Sequence, residues 1–474
     1  KQGRGIIAVE DIGPDEEIFR IPRESNVVLN ANVASLFKEF PDLRDALEAV
    51  GPWETLIVCI LYEFKKGKDS AWSPYFEALP FYSPKFHSNQ LLYWNDAEID
   101  ALKPSQVVHR IGKEQAKAMY RTIKKTLHDH GFTEFKDFSL EDLYLVALLI
   151  LSYSFDIIPA IEALVDLKTS TDEDTDNPSQ SDSENGLKNN AENGFESGSE
   201  NGSDLETDSG GLLPSSATVK SMIPLADTLN ANTTLHNACL IYGPAALIMR
   251  SVQKIKKGDQ VYNTYLEHPN SEILRRYGYV EEKGSKFDFG EVTLSNIKAI
   301  LNKPLIDLAI EVAKNSDLVE DEYIVLVEDT YDFYNTGEVL PEFTVLLQYL
   351  TAVDALPEEE SRELDEDSLS RILTKTLQLI ESGKLTKNFK TNYVKILAHR
   401  LAEYGPVEFS SSDSEREKMA KIVLQSEIRS LKACFSTLQV YKNYKFVDDH
   451  KFLRAVFKKR SGEEPQKGLK RAEL

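Results

Sequence analysis

Two hydrophobic rhythms divide this chain, and the change between them falls near Phe289. Short apolar or alternating runs come first, at Gly5–Val9, Glu17–Ile21 and Val27–Leu29. Gly13-Pro14 and Pro22 punctuate them, so they predict hairpin strands. Helical spacing follows over Trp53–Phe64, Lys113–Leu127 and Leu140–Phe155. In the last of these, Leu143, Val146, Ala147, Ile150 and Leu151 share one face. Strand signals return at Ala238–Tyr242, Ala246–Arg250 and Gln260–Tyr265, with Gly243-Pro244 and Lys257-Gly258-Asp259 as turns. Beyond Phe289 the pattern lengthens into amphipathic segments at Ile297–Lys314, Pro341–Ala355, Asp367–Ser382, Phe389–Glu403 and Ser414–Leu438. Within the last, Ile428, Leu431, Phe435 and Leu438 recur at spacings of 3, 4 and 3, which predicts one buried helix face.

The predicted class is therefore α+β. At 474 residues the chain exceeds what one core usually supports. We expect a β-rich domain over 1–284, interrupted by a helical insert at about 50–167 and a disordered acidic loop at about 168–217. An all-α domain over 290–440 follows, then a C-terminal extension over 441–474 with a basic tail at Lys458-Lys459-Arg460 and Lys470-Arg471. Between Lys168 and Gly211 twelve acids face two lysines and almost no apolar residue occurs. Such a stretch cannot bury enough surface to offset the entropy of ordering.

That stretch alone carries −10 of the net charge of −22. The acidic balance argues against direct nucleic-acid binding, which needs Lys and Arg clustered on the contacting face, and favours a basic protein partner. No apolar run is long enough for a membrane helix, so the chain reads as soluble with no membrane partner. Three scattered cysteines, Cys59, Cys239 and Cys434, support neither a disulfide framework nor a zinc site and suit a reducing compartment. His128 and His130 lie on a polar stretch and no metal-ligand spacing emerges, so no metal is expected. The opening Lys1-Gln2-Gly3-Arg4-Gly5 has no Met and reads like the middle of a module, which suggests that a few tens of residues precede it.

Polar groups concentrate after the acidic stretch. Pro224-Leu225-Ala226-Asp227-Thr228-Leu229-Asn230-Ala231-Asn232 sets amides and a carboxylate among apolar neighbours, where they satisfy backbone or ligand hydrogen bonds. Asn263-Thr264-Tyr265 and Tyr277-Gly278-Tyr279-Val280 follow, and by pattern alone their phenols read as packing.

Taken together, Pro224-Leu225-Ala226-Asp227-x-x-Asn230, Gly258–Tyr265 and Asn270-Ser271-Glu272-x-Leu274-x-x-Tyr277-Gly278-Tyr279-Val280 resemble the C-terminal half of a SET domain. The likeness is to the protein lysine methyltransferases that act on the Rubisco large subunit and on ribosomal proteins. Gly3-Arg4-Gly5, Ser70-x-Trp72-x-Pro74-Tyr75-x-x-x-Leu79-Pro80 and Ser152-Tyr153-Ser154-Phe155 extend it over most of Lys1–Gly284. The run Glu267-His268-Pro269-Asn270-Ser271-Glu272 matches the fungal ribosomal-protein branch.

The resemblance implies S-adenosyl-L-methionine as cofactor. It implies cofactor-binding roles for Gly3, Arg4, Gly5, Trp72, Tyr153, Asn230, Ala231 and Tyr277, and a catalytic role for Tyr265. Asp227 and Tyr277 fall on the substrate channel. Relatives carry His where this chain has Ala231, so an imidazole against the adenine is lost while the backbone groups stay. The implied reaction is monomethylation of a lysine in a large-subunit ribosomal protein, in the nucleus or also the cytoplasm. Two alternatives stay open: a weak or inactive SET-fold binding module, and a methyltransferase of a non-ribosomal nuclear protein.

Overall fold

A computed structural model of the protein describes residues 4–23, 27–80, 83–132, 134–157, 219–243, 245–265, 267–316, 325–357 and 364–457. Gly3, the acidic stretch, Pro244 and both basic runs of the tail lie outside the described residues. The chain forms two units. The first runs to Asp288 and includes Val407–Ser426, and the second takes Phe289–Pro406 and Glu427 onward.

In the first unit the N-terminal pattern yields β1 (Ile6–Ile7) and β2 (Glu17–Pro22). Pro22 closes β2 at a sheet edge, where a missing N–H breaks no ladder. The helix Leu140–Tyr153 stops short of the expected Phe155, because Ser154–Ile157 leaves it to pair antiparallel, as β3, with β4 (Val219–Met222). Val27–Leu29, expected as a strand, contributes a single bridge from Leu29 to Met222. The other edge of β4 is already occupied by β3, and only its last residue meets Leu29.

Four more strands follow: β5 (Asn230–Ala231), β6 (Ala238–Tyr242), β7 (Ala246–Ser251) and β8 (Gln260–Asn263). Strands β2, β7 and β6 form one antiparallel sheet in that order. In another, β8 is central. It pairs antiparallel with β1, Ile6 opposite Val261, and parallel with β5, Asn230 opposite Tyr262 and Ala231 opposite Asn263. Ala8, Ile21, Ile223, Leu229, Leu247, Met249 and Val261 form the core around these strands.

The insert builds its own core from the helices Pro52–Lys66, Lys113–Asp129 and Leu140–Tyr153, with Ile57, Phe138, Val146, Leu149 and Ile150 within it. Each buried aliphatic side chain contributes roughly 1.5–3 kcal/mol of transfer free energy. Ser139 starts the third helix with a reciprocal cap, accepting from the Asp142 N–H at 3.1 Å while Asp142 accepts from the Ser139 N–H at 2.9 Å. His128 and His130 are exposed, and no cluster of metal-ligating side chains occurs among the described residues.

The second unit corrects the all-α expectation for its part of the chain. Four short strands join its helices: β9 (Phe289–Thr293) pairs antiparallel with β10 (Thr330–Tyr334), and β11 (Lys384–Thr386) pairs parallel with β12 (Lys445–Val447). β9 and β10 are short and their pairing is tertiary, so helical periodicity gave no sign of them. The helix Pro341–Asp354 is buried along most of its length, among Phe333, Phe389 and Tyr393, all fully buried. Ile297–Lys314 splits into Leu294–Ile300 and Leu305–Lys314, since Pro304 cannot continue a helix from its predecessor.

The four-residue stripe at the end is also corrected. The helix Glu415–Ala433 ends before Phe435, so Phe435 and Leu438 leave the face that buries Leu431 and are 38% and 69% exposed. No described helix is long and apolar enough to cross a membrane.

Candidate active site

The sheet β1–β8–β5 brings three distant segments together. Arg4 and Gly5 lead into β1, Asn230 and Ala231 are β5, and Tyr265 lies two residues past β8. The Asn230 side-chain amide donates to the Arg4 carbonyl at 2.8 Å, which fixes the N-terminal loop against β5. Gly5 sits in the same cradle, where a Cβ would meet the Asn230 amide nitrogen at 2.7 Å. The Arg4 guanidinium lies over the Tyr153 ring at 5.6 Å, and its buried Nη2 has no hydrogen-bond partner. A buried cationic donor without an acceptor beside bare glycine backbone fits a ligand that ends in a carboxylate.

Asp227 occupies a 3-10 turn, Ala226–Thr228, and is 4% exposed. It accepts from the Tyr75 hydroxyl at 2.5 Å and from the Thr228 hydroxyl at 3.3 Å. Burial pushes its carboxyl up to about 6, although Tyr75, Arg4 and Thr228 all pull it down. Two residues earlier Leu225 has φ +77° and is 49% exposed, between Ile223 and Ala226, which are fully buried.

The Tyr265 hydroxyl donates to the Leu229 carbonyl at 2.6 Å, and its ring lies 4.7 Å from that of Tyr277. Burial, with Tyr279, Tyr153 and Asp227 nearby, pushes the Tyr265 phenol well above its usual range, against the opposing effect of Arg4. Tyr277 ends the helix Asn270–Tyr277, and Gly278 turns the chain away at φ +67°, a left-handed conformation suited to glycine. From there Tyr277 donates to the Tyr265 carbonyl at 3.4 Å.

Two buried groups seat that helix. The fully buried Asn270 accepts from the Glu281 N–H at 2.8 Å and donates through its amide to the Glu281 carbonyl at 2.9 Å and to the Ser426 hydroxyl at 3.1 Å. Glu272 meets Arg275 at 2.7 Å and Arg276 and Arg110 at 3.4 Å. Its burial raises the carboxyl, but the three guanidinium groups outweigh that and hold it well below the usual range.

Of the residues singled out in the sequence, Arg4, Gly5, Tyr153, Asp227, Asn230, Tyr265 and Tyr277 are placed around this one sheet; Gly3 is outside the described residues. Trp72 is set apart. It is 7% exposed within the core of the insert and reaches the cluster by way of Tyr75, whose ring is 6.3 Å away. Ala231, also buried, borders a shallow cleft with Thr233, Tyr265, His268, Tyr279 and Glu281. Sequence reasoning missed the part of Tyr75. It belonged to a quoted motif, but nothing in the spacing pointed to a partner 152 positions away.

No family model matches the chain. It is 38% identical to ribosomal lysine N-methyltransferase 4 of Saccharomyces cerevisiae, over 99% of this chain and 92% of that protein. It is 28% identical to ribosomal lysine N-methyltransferase 4 of Schizosaccharomyces pombe, over 60% of this chain and 62% of the relative. With N-lysine methyltransferase setd6 of Danio rerio it shares 25% identity over 68% of this chain and 60% of that one. Among solved structures, Rubisco LSMT bound to AdoMet superposes with a TM-score of 0.56 at 16% identity, covering 97% of this chain and 91% of the other. The SET domain of LSMT bound to lysine and AdoHcy gives 0.54 at 17%, covering 97% and 90%. At that identity the likeness speaks for the fold.

Proposed function

The chain belongs to the SET-domain protein lysine methyltransferases, and on that premise we propose that it uses S-adenosylmethionine to monomethylate a lysine of a large-subunit ribosomal protein. The observation that carries this reading is the meeting of Arg4–Gly5, Asn230 and Tyr265 on one sheet, with Asp227 and Tyr277 beside them. Arg4, Gly5, Asn230 and Ala231 are the residues that would hold the cofactor. Its carboxylate suits the Arg4 nitrogen that lacks a partner. When bound, the cofactor supplies a methyl group activated by a sulfonium.

What the protein must supply is a neutral amine in line with that methyl. A lysine of ordinary pKa, about 10.4, reaches the site as an ammonium ion. The largely enclosed phenols of Tyr265 and Tyr279, with the ring of Tyr277 beside them, disfavour that charged form, so the wall of the channel assists loss of the proton to solvent. Tyr265 is not the base. Its phenol stays protonated and already donates to Leu229, so its free lone pairs are left to accept from the incoming amine and orient it. Asp227 supplies negative charge for the ammonium on arrival. A nuclear or cytoplasmic location agrees with the three cysteines, all free thiols.

The reading is tested by incubating the purified protein and methyl-labelled S-adenosylmethionine with ribosomal and nuclear extracts of a strain lacking the enzyme. Label on a large-subunit ribosomal protein, one methyl group heavier by mass, is expected. Tyr265→Phe should lower kcat/KM about 100-fold or more, as loss of a positioned hydroxyl does. Full activity in that variant would refute the role of Tyr265. The buried Ala231 favours a second reading, a binding module without cofactor affinity, and that reading requires an absence of heat on titration with S-adenosylmethionine.

A further inference from the structure

We propose that Tyr75 is a positioning residue, which acts on the reaction by fixing the Asp227 carboxylate in the orientation that receives the substrate ammonium group. The inference rests on the reading of Asp227 as a channel residue. The two side chains come from different parts of the first unit, Tyr75 from the helix Ser73–Ala78 of the insert and Asp227 from the turn before β5. Their 2.5 Å contact is a charge-assisted hydrogen bond between a part-buried phenol and a buried carboxylate.

The division of the carboxylate is what makes the contact useful. Tyr75 takes Oδ2, while Oδ1 has only the long 3.3 Å bond from Thr228, so one oxygen is anchored and the other keeps lone pairs for a ligand. Burial pushes the Tyr75 phenol well above its ordinary range, with Asp227 adding to the shift. It therefore remains a donor at any pH the protein experiences. The donor is itself held. The Tyr75 ring lies 6.3 Å from Trp72 and 6.0 Å from Phe76, both buried in the core of the insert, so the orientation of the carboxylate is set by packing well away from the sheet.

The groups that act on Asp227 are the Tyr75 and Thr228 hydroxyls and the Arg4 guanidinium, and its charge is felt in turn by the Tyr153 and Tyr265 phenols. Tyr75 and Arg4 favour its ionised form; burial opposes it. Removing the phenol therefore raises the pH at which the carboxylate forms, and the acid limb of catalysis should move with it.

The test compares wild type, Tyr75→Phe, Asp227→Asn and the double variant, each as the full chain, with large ribosomal subunits from the deletion strain as acceptor. Tyr75→Phe is expected to raise KM for the acceptor about tenfold, the size of one lost hydrogen bond to a charged group. Its kcat should change much less, and the acid limb of kcat/KM should shift to higher pH. Calorimetric binding of S-adenosylhomocysteine should be unchanged. The double variant should be no worse than Asp227→Asn, since Tyr75 acts through that residue. An unchanged KM and acid limb in Tyr75→Phe, or additive losses in the double variant, would overturn the inference. If Tyr75→Phe folds poorly, Tyr75→4-aminophenylalanine, which keeps the ring and a donor at the para position, must recover the acceptor KM. If wild type labels another acceptor in whole extract and no ribosomal protein, the ribosomal reading fails alone. The same four variants are then compared on that acceptor.

Discussion

A carboxyl group held at 4% exposure, with one phenol and one weak hydroxyl as donors, binds its proton more tightly in the native protein than in the unfolded chain. For Asp227 the native value is about 6 against an ordinary 3.8, so its favourable contribution is complete below the lower value and is lost as pH rises through the higher one. The shift corresponds to roughly 3 kcal/mol. Asp227→Asn should therefore be more stable than wild type by up to ~3 kcal/mol at pH 8, and nearly equal to it below pH 4, while its KM for the acceptor rises. Urea melts at the two pH values check this, and equal shifts at both would rule it out. Asn270 presents the reverse case: a fully buried amide with every bond made. Its replacement by Ala leaves the Glu281 N–H and carbonyl and the Ser426 hydroxyl to find other partners. A loss of about 2–4 kcal/mol in the same melts is expected.

The elements show which parts of this architecture were legible in the chain. Ala238–Tyr242 was readable to the residue, because β6 is bounded by turn glycine and fits the pleat by its own composition. Leu140–Tyr153 was readable at its start, where Ser139 and Asp142 cap it. Its end was not, since the switch at Ser154 depends on a partner strand more than sixty positions away. Phe435 and Leu438 kept helical spacing past the point where the helix stops, and periodicity carries no signal for a stop. The candidate active-site residues stood out as a motif. The bonds from Asn230 to the Arg4 loop and from Tyr75 to Asp227 did not, because both are tertiary. Gly5→Leu should weaken binding of S-adenosylhomocysteine at least tenfold in calorimetry and also lower the melting midpoint, because a Cβ there collides with the Gln260 amide on β8 and meets the Asn230 amide nitrogen at 2.7 Å, so both side chains must give way.

For the whole molecule, net charge is the property with most reach. Twelve acids and two lysines within 168–211 give that stretch −10 of a total of −22, and a ribosomal protein is basic. Replacing the acids by neutral residues should raise KM for the acceptor at low ionic strength, leave kcat alone, and lose its effect as the Debye length falls to about 3 Å at 1 M salt. A KM that ignores both salt and substitution would remove the acidic stretch from the account. The central sheet carries a different consequence, one of time. Ile6 pairs with Val261, so β1 emerges during synthesis some 250 residues before its partner. At about 5–20 residues per second the wait is on the order of tens of seconds. Throughout it the segment that becomes β1 has no partner strand, and its Ile6 and Ile7 are open to other chains. Arg4, Gly5 and Asn230 can come together on the sheet only after β8 has been made, so a chain that stops short of β8 should be inert rather than partly active.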